Sequence, residues 1–410
     1  MTSRRELLKV SLGALPVISL GGTIPAFVAR MAQAAPATNP SVANDNILVV
    51  LQLSGGNDGL NTVVPVGNDA YRKARPTLAL KDRLLKLDDR FALNPGLTGF
   101  HALYQSGQLA IVHGCGYPQP NRSHFQSMAI WHTADPKLSV GTGWLGHYLD
   151  HLDRGTTPNA LRAVNIGPEL PQALVNEGPP APSINSLEDY RVRTDGATSF
   201  DAKLEAQIIA ELQQVRDGSP ALQFLARQAT NAIISAEQVQ KLTASYKPDA
   251  SYEQGLGQRL RLIAQIIAGN FGTKVFYVEV GGFDTHANQL YSHEQLLRQV
   301  GHAVQAFYTD LATKGLDGKV LTMCFSEFGR RVKQNDSNGT DHGAAGPMFL
   351  IGRKVKAGLH GTHPSLDELD DGDLRYTTDF RRVYATVLQR WLNADATAVL
   401  RNAFEPLPLL

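Results

Sequence analysis

The chain is poor in what would make its chemistry easy to read. It has two cysteines, Cys115 and Cys324, too few for a disulfide framework. Both lie in or just after apolar runs, so they can be one disulfide or two buried thiols. There is no HExxH, no CxxC and no P-loop, which removes the zincin, zinc-ribbon and nucleotide-triphosphate readings that rest on those motifs. Ser54-Gly55 does not sit in a G-x-S-x-G elbow. Gly141 to Gly146 spells G-x-G-x-x-G, but no strand pattern precedes it and Trp144 suits a pyrophosphate poorly. Net charge is only +1, so no general field attracts nucleic acid or an acidic membrane, and no nucleic-acid partner is expected.

What is present begins at the N-terminus. Ser3-Arg4-Arg5-Glu6-Leu7-Leu8-Lys9 precedes an uncharged run from Val10 to Ala29. Paired arginines before a weakly apolar run are the pattern of a twin-arginine (Tat) export signal. Gly13, Pro16, Gly21, Gly22 and Pro25 interrupt the run and suit a signal better than a membrane anchor. Ala32-Gln33-Ala34 gives a small-x-small cleavage pattern, so residues 1–34 read as signal and 35–410 as the mature chain. The expectation is a periplasmic or secreted protein that meets the Tat machinery and keeps no membrane span after cleavage. Hydrophobic residues make up 43% of the sequence, enough for a sizeable core.

Short apolar runs then empty repeatedly into glycine loops. Ile47 to Leu53 runs into Ser54-Gly55-Gly56-Asn57-Asp58, and Leu109 to His113 into Gly114-Cys115-Gly116. Lys274 to Val280 runs into Gly281-Gly282-Phe283-Asp284, and Lys319 to Phe325 into Ser326-Glu327-Phe328-Gly329. Met348 to Ile351 stops at Gly352. Helical patterns lie between them, at Pro95 to Gln105, Ser292 to Ala312 and Thr378 to Leu392. This alternation predicts an α/β fold, a mostly parallel sheet with helices on both faces. A stretch at about 188–272 is helical in pattern without a strand and reads as a helical insertion.

Ligands of such sheets bind beyond the carboxyl ends of the strands. There the sequence puts Asp58, Asp284, His286, Glu327, Asp341 and His342. Carboxylates and imidazoles from separate loops make the mixed oxygen and nitrogen set of a divalent metal. Arg122-Ser123-His124 follows a Pro-Gln-Pro-Asn turn, so a helix should begin near Ser123. A hydroxyl among unpaired N–H groups could serve as a nucleophile toward an anion or simply cap the helix. Arg122, Arg330 and Arg331 are candidates for gripping that anion.

"LQLSGGNDGLNTVVP", "NRSHFQSMAIWHTA", "GGFDTH", "SEFGR", "GTDHG" and "TDFRRVYATVLQRWL" occur in this order. In them the mature chain resembles the bacterial domain-of-unknown-function (DUF) family 1501, grouped with the alkaline phosphatase-like superfamily of phosphatases, sulfatases and phosphodiesterases. The resemblance implies a three-layer α/β/α sandwich and one or two divalent ions, zinc first, with magnesium, manganese or calcium as alternatives. It implies metal roles for Asp58, Asp284, His286, Glu327, Asp341 and His342. It implies a nucleophile at Ser123, with Ser127 as the alternative; Arg122, His124 and Arg330 stand as further catalytic candidates from the residues themselves. The sequence departs from the superfamily where Phe328 follows Glu327, where Asp284 and His286 stand two apart, and in having no Cys-x-Pro-x-Arg. The expected activity is hydrolysis of a small or polymeric phosphate or sulfate ester. The alternative is a non-catalytic exported protein of the same fold that binds metal or an anionic polymer at the cell surface.

Overall fold

The structure is a computed structural model describing residues 44–154, 162–178, 180–184 and 246–410. The expected export signal, its cleavage site and most of the expected helical insertion lie outside the described residues. The central sheet is built from β1 (Ile47–Leu53), β2 (Leu109–Gly116), β3 (Ala163–Ile166), β4 (Ser183–Ile184), β5 (Val275–Val280), β6 (Val320–Phe325), β7 (Gly346–Ile351), β8 (Gly358–His360) and β9 (Thr378–Asp379). Their order is β8-β2-β7-β6-β1-β5-β3-β4, with β9 also pairing β2. Along β1 the residues alternate between two cores: Val49 and Leu51 pack on one face, Leu48 and Val50 on the other. Both faces are therefore buried, which is why the run is apolar without interruption.

Helices α1 (Thr98–Gln105), α4 (Leu256–Ala268) and α5 (Gln289–Thr313) cover the first face. Helices α2 (His124–Thr133), α3 (Trp144–Asp153) and α6 (Phe380–Thr386) cover the second. The result is a three-layer α/β/α sandwich with a mostly parallel sheet. α4, from the end of the stretch read as an insertion, contributes Leu260, Ile263 and Ile267 to the first-face core. No helix among the described residues is long and apolar enough to cross a membrane. Cys115 belongs to one core and Cys324 to the other, so the sheet separates them and both are free thiols.

One strand runs against expectation. β7 is antiparallel to both β6 and β2, while the other pairings are parallel. An apolar run of four carries no sign of its direction. The cause lies in the preceding loop, which doubles back on itself. Gly329 N–H donates to Ala344 O at 2.7 Å, Gly343 N–H donates to Gly329 O at 2.9 Å, and Arg330 bridges to His342. The fold-back returns Asp341 and His342 to the edge of the sheet from which Glu327 left.

Candidate metal centre

Three loops meet at the carboxyl edge of the sheet. Gly55, just after β1, has φ +117°, and a Cβ there would lie 2.4 Å from Asp284 N, so only glycine lets the first loop touch the loop after β5. Gly339, in the fold-back, would bring a Cβ to 2.1 Å from the His286 carbonyl carbon. These approaches seat Asp284 and His286 beside His342. α2 adds His124 as its first residue, following Ser123 with φ −81° and ψ 125°.

The polar atoms converge on one oxygen. Asp284 Oδ1 is 3.1 Å from His342 Nε2, 3.0 Å from His286 Nε2 and 3.5 Å from His124 Nε2. His286 Nε2 and His342 Nε2 are themselves 2.9 Å apart. Each ring is held from behind through its other nitrogen. His124 Nδ1 meets Glu327 Oε1 at 2.8 Å, His286 Nδ1 meets Asp341 Oδ1 at 3.1 Å, and His342 Nδ1 meets the Arg122 carbonyl at 2.8 Å. Those partners accept, so each Nδ1 carries the proton and each Nε2 is left with a lone pair.

Lone pairs facing one another and a carboxylate repel. Protonating every Nε2 would put imidazolium groups about 3 Å apart. His124 Nε2 is buried and has no hydrogen-bond partner. A cation shared by His124, Asp284 and His342 removes the conflict among them. Neighbouring ligand atoms of a tetrahedral zinc-sized ion lie about 3.3 Å apart, from metal–ligand lengths near 2.0–2.2 Å. The Asp284–His342 and Asp284–His124 spacings, 3.1 and 3.5 Å, bracket that value, and these three residues offer ligand atoms all within 4.8 Å of one another, a group that does not take in His286. The donor set fits a divalent ion, with carboxylates and a carbonyl orienting the imidazoles from outside.

The electrostatics agree. Burial pushes the Asp284 carboxyl up, but the Arg330 guanidinium at 2.6 Å and the imidazoles outweigh it and hold it at about 2. Burial also pushes Glu327 up, and the hydrogen bonds from His124, the Gly55 N–H and Ser326 bring it below the usual range. The same Glu327 contact raises the His124 imidazole. Asp341 is held down by Asn335 and His286.

The model of a family described as protein of unknown function (DUF1501) matches residues 45–402. The chain belongs to the DUF1501 family. No curated protein matches it. Among solved structures it is similar to the C-terminal periplasmic domain of EptC from Escherichia coli, in complex with Zn, at 9% identity and TM-score 0.35, covering 77% of this chain and 75% of that one. A protein of the alkaline phosphatase superfamily from Vibrio parahaemolyticus matches at 8% identity and TM-score 0.32, covering 83% and 71%. The lipoteichoic acid synthase LtaP from Listeria monocytogenes matches at 8% and 0.28, covering 86% and 80%. Likenesses this loose fix neither activity nor ligand.

Other residues expected at the DUF1501 site have different work. Asp58 is not in the converging group. Its carboxylate is fully buried, bonds Arg75 at 2.6 Å and Gln289, and caps a short helix through Leu60 N and Asn61 N. That leaves it no lone pair to offer an ion. Glu327 and Asp341 stand behind His124 and His286, each acting through an imidazole. Arg330 is buried and spends its donors on the carbonyls of Gly55, Gly56, Phe283 and Thr340 and on Asp284, so it is no free anion grip. Arg122 and Arg331 are tied to Asp371 and Asp373. Ser127 is buried and donates to Glu327 O at 2.6 Å, which removes it as an alternative nucleophile. Ser123 is exposed and makes no side-chain cap.

In the sequence His124 stands out only as the companion of Ser123. The cluster gives it a ligand's place instead. No local pattern signals this, since Glu327 lies 203 residues from His124 and Asp341 lies 55 from His286. Phe328, which the sequence marks only as a departure from the superfamily, packs its buried ring 4.9 Å from the rings of both His124 and His342.

Proposed function

We propose that this DUF1501 protein is an exported metal-dependent hydrolase of a phosphate or sulfate ester, with one zinc-like divalent ion held by His124, Asp284 and His342 and with His286 beside it. The observation that carries this reading is three imidazole Nε2 atoms turned on one carboxylate oxygen, each ring fixed through Nδ1. Nitrogen-rich sets favour zinc-like ions, whereas magnesium and calcium favour oxygen-rich ones. A bound ion would supply Lewis-acid polarisation of an ester oxygen and activation of a hydroxyl.

The chain's own residues supply the surroundings. Ser123 presents its hydroxyl at the start of a ten-residue helix, where unpaired N–H groups favour an incoming anion. It stands between Arg122, whose carbonyl orients His342, and His124 itself. Glu327 keeps a proton on His124 Nδ1, Asp341 keeps one on His286 Nδ1, and Phe328 excludes water beneath the rings.

One observation favours the non-catalytic reading, a metal- or polymer-binding protein of the same fold. The Arg330 guanidinium is committed inside the protein and that of Arg122 is already paired with Asp371 and Asp373, so both carry protein carboxylates rather than a substrate anion. Purified mature protein tested for metal content and for phosphate- and sulfate-ester hydrolysis separates the two. The hydrolase should lose at least about 100-fold in rate in Ser123→Ala with its metal retained. Full metal with no hydrolysis of either ester class selects the binding protein. Export is tested apart from this: lysines at Arg4 and Arg5 should leave unprocessed precursor in the cytoplasm, and normal periplasmic appearance refutes the twin-arginine assignment.

A further inference from the structure

His342 differs from the other two histidines of the cluster. Its outer partner is a backbone carbonyl, that of Arg122, at 2.8 Å. A carbonyl is only as well placed as its residue, and Arg122 lies in the irregular segment between β2 and α2. The backbone beside it is tied through Asn121 N–H to Tyr117 Oη and Ser123 N–H to Asn121 Oδ1, and the Arg122 side chain adds a tether of its own. Nε and Nη2 donate to Asp373 Oδ2 at 2.8 and 2.7 Å. Asp373 lies on a small hairpin in which Leu369–Asp370 pairs with Asp373–Leu374. The hairpin turns through Asp371 at φ +48° and Gly372 at φ +84°.

The turn offers Arg122 a second carboxylate, Asp371, at 2.9 Å from Nη2. The two acids differ in setting. The Asp371 side chain is 77% exposed and that of Asp373 is 3% exposed. An exposed pair is screened and gives little fixed geometry. A buried carboxylate taking two donors from one guanidinium fixes the direction of the whole side chain. We infer that Asp373 is a positioning residue for the metal centre, fixing the Arg122 carbonyl that orients His342. This rests on the metal reading proposed above. Outer partners of metal-bound histidines commonly set affinity by 10- to 100-fold, and Asp373 acts one contact further out.

Cobalt(II) titration of the full mature chain, followed by absorption and by chelator competition, tests the inference. Asp373→Asn should weaken cobalt binding by about tenfold, the low end of that range, and shift the visible ligand-field bands. Arg122→Met, which keeps the carbonyl and removes the guanidinium, should do the same, and the double variant should lose no more than either alone. Asp371→Asn removes an equal charge from the same arginine and should stay within about twofold of wild type with unchanged bands. If Asp373→Asn fails to fold, Arg122→Met carries the same test. Wild-type affinity and spectrum in both variants would overturn the inference, as would an equal loss in Asp371→Asn, which would make the effect one of bulk charge. Wild-type protein that binds no cobalt would overturn the metal reading itself, a separate result.

Discussion

Asp58 and Asp284 begin alike and end differently. Each follows a strand end and a glycine pair, and the two loops touch at Gly55. Asp58 is sealed in the interior against Arg75, which also donates to Asn61 Oδ1 and to the carbonyls of Val332 and Arg331. Its charge is matched and its lone pairs are used. Asp284 is 47% exposed at its side chain and also meets an arginine, but three imidazoles share the same oxygen. One acid closes the frame and the other leaves room for a cation. The glycine loops deliver acids to the sheet edge, and the neighbours decide what each acid does.

Neutralising the frame should have the largest effect. Asp58→Asn would leave the Arg75 guanidinium buried without its counter-charge, so stability should fall by about 3–5 kcal/mol in urea unfolding. A loss below about 1 kcal/mol would mean that Asp58 is no keystone and that the two acids are more alike than their contacts suggest. At Asp284 the balance differs. Asp284→Asn also takes the carboxylate from buried Arg330, but Asp284 is 47% exposed, so metal-free stability should fall by less than in Asp58→Asn. Affinity for zinc or cobalt should nevertheless fall on the order of 100-fold, read by chelator competition, because a ligand is lost. Unchanged affinity would move the ion away from Asp284.

Much of the frame was legible in the sequence, because an apolar run that stops at a glycine pair fits a buried strand end and little else. Asp284 and His286 were legible for the same reason, whereas His342 reaches the edge through a fold-back of the chain. The role of Asp58 was not legible. Its partner lies seventeen residues on, in a short helix-and-turn segment with no motif, and a buried Asp–Arg pair has no pattern in sequence. The direction of β7 was equally hidden, since it depends on the fold-back between Gly329 and Gly343 rather than on the strand. Arg330 has the sequence setting of a solvent-facing loop arginine. Its burial follows from carbonyls contributed by three other segments, which no local pattern brings together.

The smallest expected effect probes how tightly the frame around Asp58 is closed. His293, on α5, is buried and donates from Nε2 to Asn57 Oδ1 at 2.9 Å, one residue from Asp58. Burial pushes its imidazole down to about 4; Asp58 pulls it upward, while Arg75 and Arg330 push with the burial. In the unfolded chain an imidazole titrates near 6.5. As pH falls below about 6.5 the unfolded chain takes the proton first, so stability present at neutral pH is lost until about pH 4 and no further below it. The slope is about 1.4 kcal/mol per pH unit within that window. His293→Gln keeps a donor for Asn57 and removes the titration. The stability advantage of wild type over His293→Gln, from urea unfolding in metal-free buffer, should therefore shrink by about 2 kcal/mol between pH 6 and pH 4. A difference independent of pH would mean that folded His293 already holds its proton. The field of Asp58 would then outweigh burial and the arginines, and the frame would be less closed than its contacts imply.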